Sequence, residues 1–322
     1  MKHLPTAVLA AALAFPSAAF AQAAWDFPTP YPEGNFHEKN IAEFISDVND
    51  KAGDAVKITL HPNQSLIPHA QIESSVRDGI VPIGELLVSR LENQSPIFGV
   101  DSVPFLATSY DEAWKLYQAQ KPFMEEALKK EGLKLLFSVP WPPQGLYTKQ
   151  KINDISDLSG KTFRAYNKST EELASDAGMV PTQIEASDIP TAFSTGRVEV
   201  MMTSPSTGVD SKVWDFLQDY YELNAWLPRN MVIVNQSAFD ALPASAQKVI
   251  TDAAAAAEKR GWDASKEETR RTTELLKKNG IQVIQPSDKL KAEFKKIGEK
   301  MTEAWKQSAG EQGEKLLEAY KK

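Results

Sequence analysis

The stretch from Pro243 to about Asn279 constrains this chain most, because it reads as one uninterrupted helix stopped by Gly280. Its first half is rich in alanine. Its second half pairs Glu267 with Arg271 and Glu274 with Lys278 at i,i+4 spacing, each pair adding only tenths of a kcal/mol. Roughly 37 residues at ~1.5 Å each make a rod of about 55 Å, longer than one small domain. Such a helix should bridge two lobes.

The segments before it supply those lobes. Ile41, Phe44, Ile45 and Val48 recur at helical spacing, Val56 to Leu60 alternates as a strand, and Pro68 to Asp78 reads as a helix closed by Gly79. Ile80 to Ile83 and Ile97 to Leu106 read as short apolar strands. Ser109 with Glu112 forms a capping box, Pro122 and Gly132 bracket a further helix, and Leu133 to Val139 is a strand. Pro142 and Pro143 forbid its continuation, so Trp141 to Gly145 is a loop or a crossing between lobes. Beyond it come a helical turn from Asp154 to Leu158, a strand from Lys161 to Tyr166, and a helix capped by Ser169 and Glu172. A strand from Thr182 to Glu185, a helix from Ser187 to Gly196, a strand from Val198 to Ser204 and a longer strand from Ala225 to Gln236 follow. After the long helix, Ile281 to Ile284 and a charged helix to Lys322 finish the chain. Alternating strands and helices favour an α/β layered architecture.

Residues 1–21 have the three parts of a cleaved secretory signal peptide. Lys2 and His3 form a basic start, Ala7 to Phe15 an apolar run, and Ala19-Phe20-Ala21 a small-x-small site before Gln22. The mature protein is therefore expected in the periplasm. The rest of the 322 residues suffices for about two separate cores. The expected division is 22–145 plus about 228–260 as lobe 1, and 146–227 plus about 261–290 as lobe 2. Residues 291–322 form a C-terminal helical segment packing across the lobes. With no cysteine in the sequence, a lipidated N-terminal Cys, thiolate zinc sites and Cys nucleophiles are excluded. The formal net charge of −7 argues against a nucleic-acid partner. An anionic ligand must be held by local positive charge instead.

Catalytic patterns are missing: there is no phosphate loop, G-x-G-x-x-G, G-x-S-x-G or H-E-x-x-H. His37, His61 and His69 lie in loop-like stretches without ligand spacing, so solvated or loop-bonded roles are expected rather than metal binding. No cofactor and no metal is expected, and holding a ligand is favoured over converting it. Arg164 stands out. It lies inside a strand between Phe163 and Tyr166, and its planar fork matches a carboxylate as a lysine would not. A buried guanidinium needs an anion. Either an internal acid such as Asp188 or Glu199 supplies it, or a ligand does. Trp141, Trp226, Tyr166 and Phe193 are candidate apolar walls, or simply core. Gln144, Thr203, Ser204, Arg229 and Asn230 are candidate polar contacts, with Thr203 and Ser204 at a strand end, where α/β sheets bind ligands.

These residues also carry a resemblance. The leader, S-D-L-S-G-K-x-F-R at Ser156–Arg164, D-S-V-P-F-L at Asp101–Leu106, the helix end Phe193-Ser-Thr-Gly196 and the long late helix occur in a familiar order. Together they resemble solute-binding proteins of tripartite ATP-independent periplasmic (TRAP) transporters, over essentially the whole mature chain. The resemblance implies a two-lobe periplasmic binding protein with mixed sheets, an interlobe ligand cleft and a long helix spanning both lobes. It implies that Arg164 salt-bridges the carboxylate of an organic acid, that the regions of Gln144 and Thr203 face it, and that lobe closure hands it to two membrane subunits. The chain departs from the family at Glu199–Ser204, where many members read D-G-x-E-N-P and Thr203 replaces a ligand-contacting Asn. It also lacks the second Arg that sialic-acid binders place near Gln144. A single charged clamp suggests a monocarboxylate, and Trp141, Trp226, Met201 and Met202 favour a hydrophobic or aromatic one. The alternatives are a C4-dicarboxylate or sugar-acid receptor, or a secreted two-lobe enzyme using Arg164 as its substrate anchor. A monomer is expected.

Overall fold

The computed structural model describes residues 22–322, so the signal-peptide segment lies outside the described residues. The chain enters through β1 (Ala23–Pro28), α1 (Phe36–Lys51), β2 (Val56–His61), α2 (Ile72–Arg77), β3 (Ile83–Leu87), α3 (Tyr110–Lys130) and β4 (Leu133–Pro140). It crosses to a second lobe made of β5 (Gly145–Thr148), β6 (Thr162–Ala165), α4 (Lys168–Asp176), β7 (Val180–Gln183), α5 (Ile189–Ser194), β8 (Val200–Thr203), α6 (Pro205–Asp210) and β9 (Asp219–Tyr221). The chain then returns as β10 (Arg229–Asn235) and α7 (Gln236–Asp240). It ends with α8 (Ala244–Lys278), β11 (Gln282–Ile284) and α9 (Asp288–Lys321).

Lobe 1 holds the parallel pair β1–β2 and a sheet of order β3-β10-β4, antiparallel throughout. Lobe 2 is a mixed sheet of order β11-β9-β5-β8-β6-β7, in which β6 runs parallel to β7 and β8. The two crossings lie side by side. Trp141 N–H donates to Pro228 O at 2.8 Å, Gln144 N–H to Trp226 O at 2.9 Å, and Ala225 N–H to Gln144 O at 3.0 Å. Pro142 and Pro143, with no N–H to offer, fall between those bonds. This ribbon fixes Trp141 and Gln144 at the junction of the lobes.

The long helix bridges as its length requires. Ala246, Ile250, Ala253, Ala254 and Ala257 pack in the lobe 1 core with α1 and β4, whereas Leu276 packs in a lobe 2 core. α9 does likewise, with Leu290, Phe294 and Met301 against lobe 2 and Trp305, Leu316 and Leu317 against lobe 1. Close approach of α8 to β4 depends on Gly261, where a Cβ would stand 2.4 Å from Val139 Cγ2 and 2.8 Å from Asn40 Nδ2. In Gly261→Ala the overpacking, about 1–3 kcal/mol, outweighs a helix-propensity gain of about 1 kcal/mol. The expected result is a lower denaturation midpoint with an unchanged m-value; a raised midpoint would mean that the helix shifts freely.

Several local expectations give way to packing. Ile97 to Leu106 is no strand: Pro96–Ser102 forms a 3-10 helix whose apolar residues are buried all round, and a short apolar run carries no period to distinguish the two. Ile80, 69 % exposed, precedes β3 rather than belonging to it. Pro122 lies inside α3, because Leu116, Ala119, Met124 and Leu128 continue one buried stripe through it. Asn167 with Thr170, not Ser169 with Glu172, caps α4. The expected Ala225–Gln236 strand shortens to β10, its first residues forming the interlobe crossing. His37 and His69 are buried rather than solvated.

Candidate ligand site

β6 and β8 run parallel, so their C-terminal ends point together into the space between the lobes, where the dipoles and open loops of an α/β sheet favour a ligand. A cleft lies there, with about 520 Å³ of space when the open solvent in its mouth is counted. Trp141, Gln144, Arg164, Tyr166 and Thr203 line it, joined by Tyr31, Gln64, His69 and Glu185.

Arg164 is 3 % exposed. Its Nε donates to Ile184 O at 2.9 Å, and its guanidinium carbon stands 5.0 Å from the centre of the Tyr166 ring, a cation–π distance. Other arginines find an acid: the buried Arg229 pairs with Asp101 and the partly exposed Arg90 with Glu185. Among the described residues no carboxylate forms an ion pair with Arg164. Glu199 instead accepts from Thr162 N–H and Oγ1–H at 3.2 Å each, and Asp188 sits at the start of α5. Burial therefore pulls the guanidinium down to about 10, with Tyr166, Glu185 and Tyr31 resisting and Arg90 adding to the fall. Arg164 stays charged at neutral pH, and its Nη atoms keep unused donors beside a cavity.

The other walls are set by a bonded chain. Trp226 Nε1–H donates to Tyr166 Oη at 3.2 Å, Tyr166 O–H to Gln144 Oε1 at 3.2 Å, and Gln144 Nε2–H to Pro142 O at 2.9 Å. Trp226 thus stands behind Tyr166 rather than in the cavity lining. Asn230 is also one layer back, accepting from Tyr31 and Trp141. Three further sequence candidates point elsewhere. Phe193 stacks on Phe216 at 4.9 Å inside lobe 2. Ser204 caps α6 by accepting from Thr207 N–H at 3.0 Å. Arg229 is occupied by Asp101, Gln120 and the Tyr117 ring. A strand-end position alone did not reveal these orientations.

The lobes are held together around the cavity. Glu185, in lobe 2, receives Arg90 Nη2 and His69 Nδ1 from lobe 1. His69 Nε2 accepts from Leu87 N–H at 3.2 Å, so Nδ1 carries the proton toward Glu185, and burial holds this imidazole below its usual range. Burial pushes the Glu185 carboxyl up, but the His69 hydrogen bond and the charges of His69 and Arg90 outweigh it and hold the group at about 2. Gln64 Nε2–H reaches Ser187 Oγ at 3.1 Å, carried across by left-handed backbone at Asn63 and Gln64 (φ 57° each). Asn35 Nδ2–H donates to Asp210 at 2.7 Å. Glu92 of lobe 1 accepts from Lys168 N–H at 2.7 Å and Ser169 Oγ–H at 2.9 Å, at the start of α4 in lobe 2. Tyr31, Gln64, His69 and Glu185 escaped the sequence reading. The available signal was their position in loops that follow strands.

Residues 29–312 match the sequence profile of the bacterial extracellular solute-binding proteins, family 7 (DctP). A solute-binding protein of Albidiferax ferrireducens is 23% identical over 316 residues, covering 95% of this chain and 91% of its own. The crystal structure of DctP6, a Bordetella pertussis extracytoplasmic solute receptor binding pyroglutamic acid, shares 40% identity with a TM-score of 0.91, over 93% of this chain and 99% of that one. A TRAP solute-binding protein from a marine metagenome, specific for pyroglutamate and solved with it, shares 37% identity with a TM-score of 0.91, over 94% and 99% of the two chains. With the lobes, the long bridging helix and the profile match all in agreement, the chain belongs to family 7 of the bacterial extracellular solute-binding proteins, the substrate receptors of TRAP transporters.

Proposed function

We propose that this receptor binds a compact cyclic monocarboxylate of the pyroglutamate class, clamps its carboxylate with Arg164, encloses it by lobe closure and releases it unaltered to TRAP membrane subunits. The observation that carries this reading is the buried Arg164 fork, beside a cavity and without an ion-pair partner among the described residues. A carboxylate arriving there regains for the guanidinium the charge-assisted bonds that the fold withholds. The receptors at 37% and 40% identity support the ligand class, since both are named for pyroglutamate.

In this reading the monocarboxylate expectation stands, while the hydrophobic or aromatic one narrows to a small polar ring. Trp141 and Tyr166 supply faces for such a ring, and Phe193, Met201 and Met202 are absent from the cavity lining. The receptor is read as a monomer. Residues 1–21 are read as the leader cleaved on export to the periplasm.

Thermal shift with L-pyroglutamate is the direct test. Ligand at 100 times its Kd adds about 2.7 kcal/mol to apparent stability, so a clear rise in Tm is expected. Benzoate, succinate and glucuronate should leave Tm unchanged. A shift with one of those acids and none with pyroglutamate sinks the assignment.

A further inference from the structure

The Tyr31 and Trp141 wall of the cavity has a fixed hydrogen-bonding sense, set by residues that do not line it. Asn230 is 1 % exposed and Glu85 2 %. Asn230 Oδ1 lies 3.0 Å from Trp141 Nε1 and 3.1 Å from Tyr31 Oη, and its Nδ2 lies 2.8 Å from Glu85 Oε1. An indole N–H can only donate. The oxygen of Asn230 must therefore face Trp141 and Tyr31, and its amide N–H must face Glu85. Thr29 Oγ1–H holds the other Glu85 oxygen at 2.5 Å, and His37 Nδ1 stands 3.4 Å from Oε1. The carboxyl cannot turn without breaking these bonds.

The consequence reaches the ligand. Tyr31 uses its only proton on Asn230, and Trp141 uses its N–H there too. Toward the cavity Tyr31 offers lone pairs alone, and Trp141 offers a ring. Tyr166 O–H and one Gln144 amide N–H are already engaged. The cavity thus combines the free donors of Arg164 with a Tyr31 phenol whose proton is already spent. We propose that Tyr31 selects ligands with a ring N–H or O–H donor, because Asn230, its oxygen turned by the Trp141 N–H, holds the only Tyr31 proton. For the pyroglutamate class, on which this inference rests, the lactam N–H is the matching group and the carboxylate goes to Arg164.

The test compares pyroglutamate with 5-oxotetrahydrofuran-2-carboxylate, a lactone of nearly the same shape with ring oxygen in place of N–H, by calorimetry. The wild-type protein is expected to bind the lactone at least tenfold more weakly, since two lone pairs would face each other in a buried site. In Tyr31→Phe the preference falls below threefold. In Glu85→Gln the preference stays as in the wild type, since the amide oxygen still accepts from Asn230 Nδ2–H and the amide N–H can donate to Thr29 Oγ1, so a buried change that spares the Tyr31 bond does not mimic its loss. A general loss of packing would weaken both acids alike and leave the ratio untouched. Equal wild-type affinity for lactam and lactone, or an unchanged ratio in Tyr31→Phe, overturns the donor rule while leaving the ligand class standing. Failure of pyroglutamate itself to bind removes the ligand class, and the proposal with it.

Discussion

Arg164→Ala is expected to lose roughly 2–5 kcal/mol of ligand affinity, the usual consequence of breaking a buried charge pair between partners. The same substitution should leave the unliganded protein as stable as the wild type, or more so. The buried guanidinium has no carboxylate partner in this fold and keeps one bond, to Ile184 O, and an unpaired buried charge opposes folding. Affinity and stability therefore move in opposite directions, which an ordinary core residue would not produce. Arg164→Lys keeps the charge but not the fork, so it should recover only part of the affinity. Calorimetry beside thermal melts of the free protein reads both effects. Unchanged affinity in Arg164→Ala removes the clamp.

Acidification from pH 8 to pH 6 should tighten ligand binding, with Glu92 alone contributing about tenfold. Glu92 gains its bonds to Lys168 and Ser169 only when the lobes meet. Burial there, reinforced by the Glu172 charge, raises its carboxyl from 4.5 to about 7 despite those bonds. With the lobes apart the group is rehydrated and returns toward its ordinary range. The closed state then binds the proton more tightly, so closure takes up a proton in the window between about 4.5 and 7. The contribution is greatest at the acid end of that window and fades as pH rises through about 7. The ligand carboxylate and Arg164 keep their charges across the range tested. Glu185, held at about 2, stays ionised, whereas burial lowers the His69 imidazole when the lobes close, which opposes the Glu92 gain at the acid end of the range. Glu85 also titrates near 7 because of burial, but its bonds to Thr29 and Asn230 lie within lobe 1. Its titration therefore bears on folding more than on closure. In Glu92→Gln the Glu92 part of the slope should vanish, leaving the smaller contribution of Asp210, raised by burial to about 6 at another interlobe contact, and the opposing one of His69; an unchanged slope in that variant assigns the effect elsewhere.

How much of this was legible beforehand differs from element to element. The long helix was readable to within a residue at each end because Pro243 and Asn279-Gly280 are local stop signals. The Ser109–Glu112 capping box was equally local, and the structure shows both of its bonds. Pro122 misled because its cost is local, whereas the stripe that overrides it is tertiary. Arg164 could be singled out because a guanidinium among aromatics in a strand is anomalous wherever it is buried. Whether Glu199 or Asp188 answers it depends on which side chains the sheet brings together. Local patterns do not encode that.

The histidines show the same boundary from the other side. His69 has no spacing that marks it, yet β3 and the opposite lobe supply Leu87 N–H and Glu185 to its two nitrogens. Tyr31 and Asn230 are 199 residues apart in the chain and 3.1 Å apart in space. By itself the sequence determined the two-lobe α/β plan, the bridging helix and the need for an anion at Arg164, because periodicity, caps and the cost of a buried charge act on residues close together or alone. Only the tertiary structure decided that no protein acid among the described residues meets that Arg, and which polar atoms face the cavity. Those outcomes depend on hydrogen-bond partners drawn from distant strands, where one donor already engaged changes what the next residue can offer.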